Sequence, residues 1–162
     1  GVAVIAASDR NIEIIKKRMS VQTIGYDKIN QYRHVKFYKD VDGIKRHMKL
    51  HREILAPKFK AVIDEFENGL GEYGVAEWTK PNGGYFISLN VMPGTAKRVY
   101  SLCKEGGVTL TTVGATFPYG IDPEDKNIRI APSYPPVDEL LAATRLLCIC
   151  VRLAAVEKLL SE

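Results

Sequence analysis

Arg129 sits as a lone charge in the short apolar run Asn127-Ile-Arg-Ile-Ala-Pro-Ser. Side chains alternate across a strand, so an extended conformation puts Ile128 and Ile130 on one face and Asn127 with Arg129 on the other. A guanidinium is then presented from a rigid element. Pro135-Pro136 ends the strand and an apolar helical pattern follows at once, so Arg129 lies at a junction between elements, where ligands often bind. On this stretch alone a surface arginine on a half-exposed strand remains the alternative. Two other groups carry chemistry. His47 and His51 stand four apart on a helical pattern and could chelate a metal, but no Cys, Asp or third His stands at a completing distance, so no metal site is expected. Cys103, Cys148 and Cys150 are an odd set, and the last two point to different sides of a helix. We expect three reduced, mostly buried thiols in a cytoplasm-like compartment.

The elements that must position these residues follow from periodicity. Val2 to Ala7 has the composition of a strand buried on both faces, and Ser8 can cap a helix through Ile12, Ile14, Ile15 and Met19. Tyr26 to Asp40 reads as a helix with Ile29, Tyr32, Val35 or Lys36, and Phe37 near one face, broken by Asp40-Val-Asp-Gly. From Ile44, apolar positions through Phe66 recur at helical spacing, with a kink expected at Pro57. Ala76 to Lys80 and Gly84 to Val91 form a strand pair, and Asn82-Gly83 after Pro81 suits a two-residue hairpin turn. A short helix over 94–103 stops at Gly106-Gly107, Val108 to Thr112 is predicted as a third strand, and 113–126 is a Gly/Pro-punctuated loop long enough to suggest function. Val137 to Leu159 closes the chain as a helix with Asp138 and Glu139 in its first turn. The fold class is therefore α/β. Residues 76–160 form a mostly antiparallel sheet covered by helices on one face, and residues 1–40 are the tail of a separate α/β unit.

The 162 residues, 46% hydrophobic, can build a core, which excludes a disordered chain. No stretch is long and apolar enough for a membrane span, and no membrane partner is expected. Residues 1–60 hold fourteen Lys and Arg against six Asp and Glu, and the rest nine against thirteen. The basic half is interleaved with acids along helical faces, a solvated pattern, so nucleic acid is not the expected partner. The chain opens on Gly1-Val-Ala-Val without a methionine or a polar lead-in. This suggests a piece cut from something longer, with the missing part upstream.

In order along the chain, Pro81-Asn-Gly-Gly-Tyr-Phe-Ile-Ser-Leu, Gly107-Val-Thr-Leu and Asn127-Ile-Arg-Ile-Ala-Pro-Ser resemble the carboxyl-terminal lobe of class I/II, fold-type I aminotransferases. Gly1-Val-Ala-Val, Asn30-Gln-Tyr-Arg-His-Val and Thr116-Phe-Pro-Tyr-Gly resemble the aspartate-aminotransferase-like branch related to MocR-type proteins. The resemblance implies a parent enzyme that uses pyridoxal 5'-phosphate to move an amino group between an amino acid and a 2-oxo acid. Such a parent is usually a homodimer. It implies that Arg129 grips the substrate α-carboxylate, a role that suits a planar guanidinium donating two parallel bonds. It also implies that Tyr26, Asn30 and Arg33 approach the active site or the dimer partner. The Schiff-base lysine is expected just upstream of Gly1, so the fragment alone is expected to be inactive and to bind no cofactor. Residues 1–43 then correspond to a remnant of the large domain, 44–68 to a linking helix and 69–162 to the small domain. An aminotransferase-like effector domain of a MocR-type transcriptional regulator is the alternative parent.

Overall fold

The computed structural model describes residues 2–161 and divides into two compact units, Gly1–His51 and Arg52–Glu162. In the first unit Ser8 sits extended at the amino end of α1 (Asp9–Met19) without a side-chain capping bond, and Asp9 and Lys16 to Arg18 complement the helix dipole at its two ends. Asp27 caps α2 (Lys28–Tyr38) by accepting the Asn30 backbone N–H at 2.9 Å. Lys39 takes a left-handed φ of 65° and ends α2. Asp40 then accepts the Gly43 N–H at 2.7 Å, so the predicted break both stops α2 and starts α3 (Val41–Leu70). Gly43 is required there, because a Cβ would lie 1.7 Å from the Tyr38 carbonyl oxygen.

Two expectations for this unit are corrected. Val2 to Ala7 forms no strand and is exposed, because a strand buried on both faces needs neighbours and the described residues pair none with it. The α2 positions Ile29, Tyr32, Val35 and Phe37 are all exposed, and the half-buried stripe is Asn30, His34 and Tyr38, spaced by four.

The second unit holds the core. It comprises the remainder of α3, β1 (Ala76–Trp78), β2 (Ile87–Val91), α4 (Ala96–Glu105), a single 3-10 turn (Pro118–Gly120), β3 (Asn127–Ile130) and α5 (Val137–Ser161). The strands form an antiparallel sheet in the order β1-β2-β3. One sheet face carries Ile87, Leu89, Val91, Ile128 and Ile130, which pack with Val62 and Phe66 of α3, Val99 of α4 and Leu147 and Val151 of α5. Each such side chain contributes about 1.5–3 kcal/mol on burial, and the sheet is therefore fixed against helices on this face. α3 continues through Pro57 as one 30-residue helix.

The hairpin departs from its expected form. Trp78 pairs with Leu89 and Thr79 exchanges bonds with Ser88, so the connection between the strands runs over eight residues, 79–86, and the register is centred between Gly83 and Gly84, not on Asn82-Gly83. Val108 to Thr112 is not a strand. The Val108 N–H bonds the Cys103 carbonyl at 2.8 Å to finish the α4 terminus, and Val108 and Leu110 pack on the core in irregular backbone. β-branched composition favours a pleat but supplies no neighbour.

All three cysteines are free and buried, as expected. Burial and the neighbouring Cys150 thiol push Cys103 up to about 12, and burial with the Glu65 charge pushes Cys148 up to about 11. Both stay neutral thiols and act as core side chains, not as nucleophiles. No helix among the described residues is long and apolar enough to cross a membrane.

Candidate functional site

The polar face of the sheet is built by the alternation that buries the other face. Arg129 pairs in register with Ser88, and Asn127 with Asn90. Asn127 is 9% exposed and its carboxamide is committed on both ends. Nδ2 donates to Ser88 Oγ at 2.8 Å and to Asn90 Oδ1 at 2.7 Å, and Oδ1 accepts from Thr116 Oγ at 2.7 Å. One side chain thus ties β3 to β2 and to the loop over 113–126.

The loop itself is closed tightly. A Cβ on Gly114 would lie 2.1 Å from the Gly120 carbonyl oxygen, and Gly114 has φ +88°. Its far end is gathered by Asp122, which accepts the backbone N–H groups of Asn127 at 2.7 Å, Lys126 at 2.8 Å and Glu124 at 3.1 Å. Desolvation opposes ionisation of Asp122, but these three donations and the Lys126 charge outweigh it and hold the carboxyl below its ordinary value. Asp125, with φ 45°, caps α4 through the Lys97 N–H in place of Thr95, whose hydroxyl bonds Met92. The entry to β3 is therefore anchored on both sides.

A depressed carboxyl stabilises the fold above its unfolded value and ceases to do so as pH falls through its folded value. Asp122→Asn should therefore lower the unfolding midpoint at neutral pH, and the gap to the parent chain should close as the pH drops into the range where Asp122 takes up a proton. Urea melts across that range check this, and a gap independent of pH would show that the charge is not what holds the turn.

On this anchored strand Arg129 is half-buried. Its guanidinium carbon stands 4.5 Å from the Phe86 ring centroid, and Nε is buried with no hydrogen-bond partner among the described residues. No carboxylate among the described residues pairs with it. A desolvated, uncompensated cation is costly unless an anion meets it. The aromatic face recovers a part of that cost, about 0.5–1 kcal/mol at an exposed ring. The arrangement is a rigid, planar, positively charged fork on a polar sheet face, suited to a carboxylate.

The sequence matches the aspartate amino-transferase family over residues 1–162. The chain belongs to that family. A candidate aminotransferase of Mycolicibacterium smegmatis is 49% identical over all 162 residues, and the chain spans 38% of its length. The crystal structure of an aspartate transaminase from Corynebacterium glutamicum is 46% identical, with a TM-score of 0.86 over 93% of this chain and 36% of its own. A structure from Corynebacterium diphtheriae, 50% identical, also reaches 0.86 over 94% of this chain and 38% of its own. The chain thus spans a little over a third of these aminotransferase relatives, and its fold is that of their carboxyl-terminal domain.

The other expected site residues lie in the first unit. Tyr26 is half exposed and lines an open cleft of about 410 Å³ with Lys16, Met19 and Thr23. Asn30 is in the first turn of α2, half-buried, with its carbonyl bonded to His34 Nδ1 at 2.7 Å. Arg33, one turn on, is exposed. Sequence reasoning missed Phe86, Asn127 as a structural tie, Thr116 and Asp122. Only Asp122 had a local signal, an Asp at the first position of a Pro-containing turn whose backbone N–H groups need an acceptor.

Proposed function

We propose that this chain is the carboxyl-terminal part of a pyridoxal-phosphate-dependent aminotransferase and that Arg129 binds the α-carboxylate of both the amino acid and the 2-oxo acid. The observation that carries the proposal is the unpaired Arg129 guanidinium, held on a strand fixed by Asn127 and Asp122 and flanked by Phe86. The same grip serves both substrates, since they share that carboxylate and differ at the carbon beside it. Orientation from two parallel charge-assisted bonds, about 1.5–3 kcal/mol each, fixes which bond of the substrate faces the reacting centre.

Pyridoxal phosphate, when bound, supplies the electron sink that makes the amino acid α-proton removable. Four lysines of the described residues are engaged elsewhere. Lys58 donates to the Ser133 and Tyr134 carbonyls at 2.9 and 3.2 Å, and Lys60, Lys80 and Lys126 sit in surface ion pairs. On the resemblance to fold-type I aminotransferases, we assign the anchoring lysine, and with it catalysis, to sequence upstream of Gly1. On this reading residues 1–43 belong to the large domain, 44–68 link the domains and 69–162 form the small one. Tyr26, Asn30 and Arg33 then face the active site or the second subunit of a cytoplasmic homodimer. Identity of 46% to a protein named an aspartate aminotransferase supports an enzyme rather than the effector domain of a MocR-type regulator. It also makes aspartate the first amino donor to assay.

The full-length parent should show the visible absorbance of bound pyridoxal phosphate and exchange amino groups between aspartate and a 2-oxo acid. A parent that carries a winged-helix module and transfers no amino group from any of the standard amino acids would overturn the enzyme reading in favour of the regulator.

A further inference from the structure

His47 and His51 stand outside everything described so far, and both lie in the first unit on one face of α3. One helical turn separates them, and their Nε2 atoms meet at 2.9 Å. His47 is held edge-on by Phe37 and Tyr38, each with ring centroids 5.4 Å away, so its imidazole has a fixed direction, and His51 is exposed. Two imidazole nitrogens that converge at this distance are a bidentate donor. Nitrogens about 2.05 Å from one ion stand about 2.9 Å apart when they subtend a right angle and about 3.3 Å apart at the tetrahedral angle. The observed separation is the right-angle value.

We propose that His47 and His51 form a chelating site for a divalent late transition ion of tetragonal or octahedral preference, Cu2+ first and Ni2+ next, with Zn2+ weaker. Among the described residues no group of three or more His, Cys, Asp or Glu could hold a metal, so the remaining positions fall to water or an outside ligand. Two neutral imidazoles facing each other share one proton, the Nε2–H of one ring donated to the lone pair of the other. On metal binding that proton moves to Nδ1 of its own ring, and both Nε2 lone pairs enter the ion's coordination sphere. The pair is neutral before and after, and no proton need leave the protein. Irving–Williams order and bite angle act in the same direction, both favouring Cu2+. Bound metal clips one turn of α3 and stabilises the folded chain by mass action.

The test is titration of the chain with Cu2+ alone, followed by calorimetry and by electron paramagnetic resonance. One tight equivalent with two equatorial nitrogens is expected. His47→Ala and His51→Ala should each weaken binding at least tenfold. Exchanging neighbours, His51→Arg with Arg52→His, keeps the composition and every thiol but breaks the one-turn spacing, and it should weaken binding as much as His51→Ala. Retained affinity and an unchanged spectrum in the exchanged variant would overturn the site. Circular dichroism of each variant excludes misfolding, which is not expected at the exposed His51 and Arg52.

Discussion

Arg129→Ala in the full-length parent is expected to lower kcat/KM for both the amino acid and the 2-oxo acid by roughly a thousandfold, mainly through KM, because two charge-assisted bonds are lost together. Arg129→Lys keeps the charge but not the fork, and should fall between, about ten- to a hundredfold down. The stability expectation runs the other way. Arg129 has no ion pair among the described residues and a buried Nε without a partner, so removing it relieves an unsatisfied group and forfeits only the contact with Phe86. Melting temperature should stay level or rise slightly while kcat/KM collapses through KM. A residue kept for structure would give the opposite pairing, lower stability with nearly normal KM. Kinetics and thermal melts on the same preparations decide the matter, and a KM within twofold of the parent would remove Arg129 from the carboxylate site.

Phe86 belongs to that same argument. It comes two residues after Gly84, which takes φ +88°, and immediately before β2, and its ring lies 4.5 Å from the guanidinium carbon it flanks. The ring packs against the guanidinium without consuming a hydrogen-bond donor. An acid in the same place would fix the guanidinium more strongly and, on the proposed role of Arg129, compete with the carboxylate for it. An aromatic neighbour holds the arginine and leaves its charge available.

Much of this was legible from residue order, and what was not has a common cause. The strand at Asn127–Ile130 and its division into an apolar and a polar face follow from strict alternation beside a Pro-Pro stop, and α3 and α5 follow from long helical periods. These are local patterns that tertiary packing reinforced. The failures depend on neighbours. Val108 to Thr112 has strand composition but no strand beside it, Val2 to Ala7 likewise, and the α2 apolar positions stay exposed. The hairpin register follows from packing of Ile87 and Leu89 into the core, and a one-residue difference in its centre shifts the pairing by two, which changes partners while each side chain keeps its face. Arg129 could be found because its own strand points it. The residues that hold it could not, because Asn127 meets Thr116 across 11 positions of chain and Ser88 across 39.

Those distant contacts set the second large expectation. Asn127→Leu removes three side-chain hydrogen bonds at a position 9% exposed and strands Ser88, Asn90 and Thr116 against an apolar group of similar size. With a net of about 0.5–1.5 kcal/mol per lost bond and further cost where a partner cannot reach water, the total is about 3 kcal/mol. For a chain of this length that is a fall of about 6–12 °C in the melting temperature. Ser88→Ala removes one of the three bonds from a half-buried partner, so it should cost about a third as much. In the full-length parent the same Asn127 change should raise KM for the amino acid, because the strand that carries Arg129 loses its tie to β2 and to the 113–126 loop while the guanidinium itself is untouched. Substrate binding should therefore weaken in Asn127→Leu but not in a control such as Phe66→Ala, which destabilises the core by a similar or larger amount, about 3–5 kcal/mol, away from the polar face. Equal KM changes in the two variants would mean that Asn127 acts on overall stability alone and does not position Arg129.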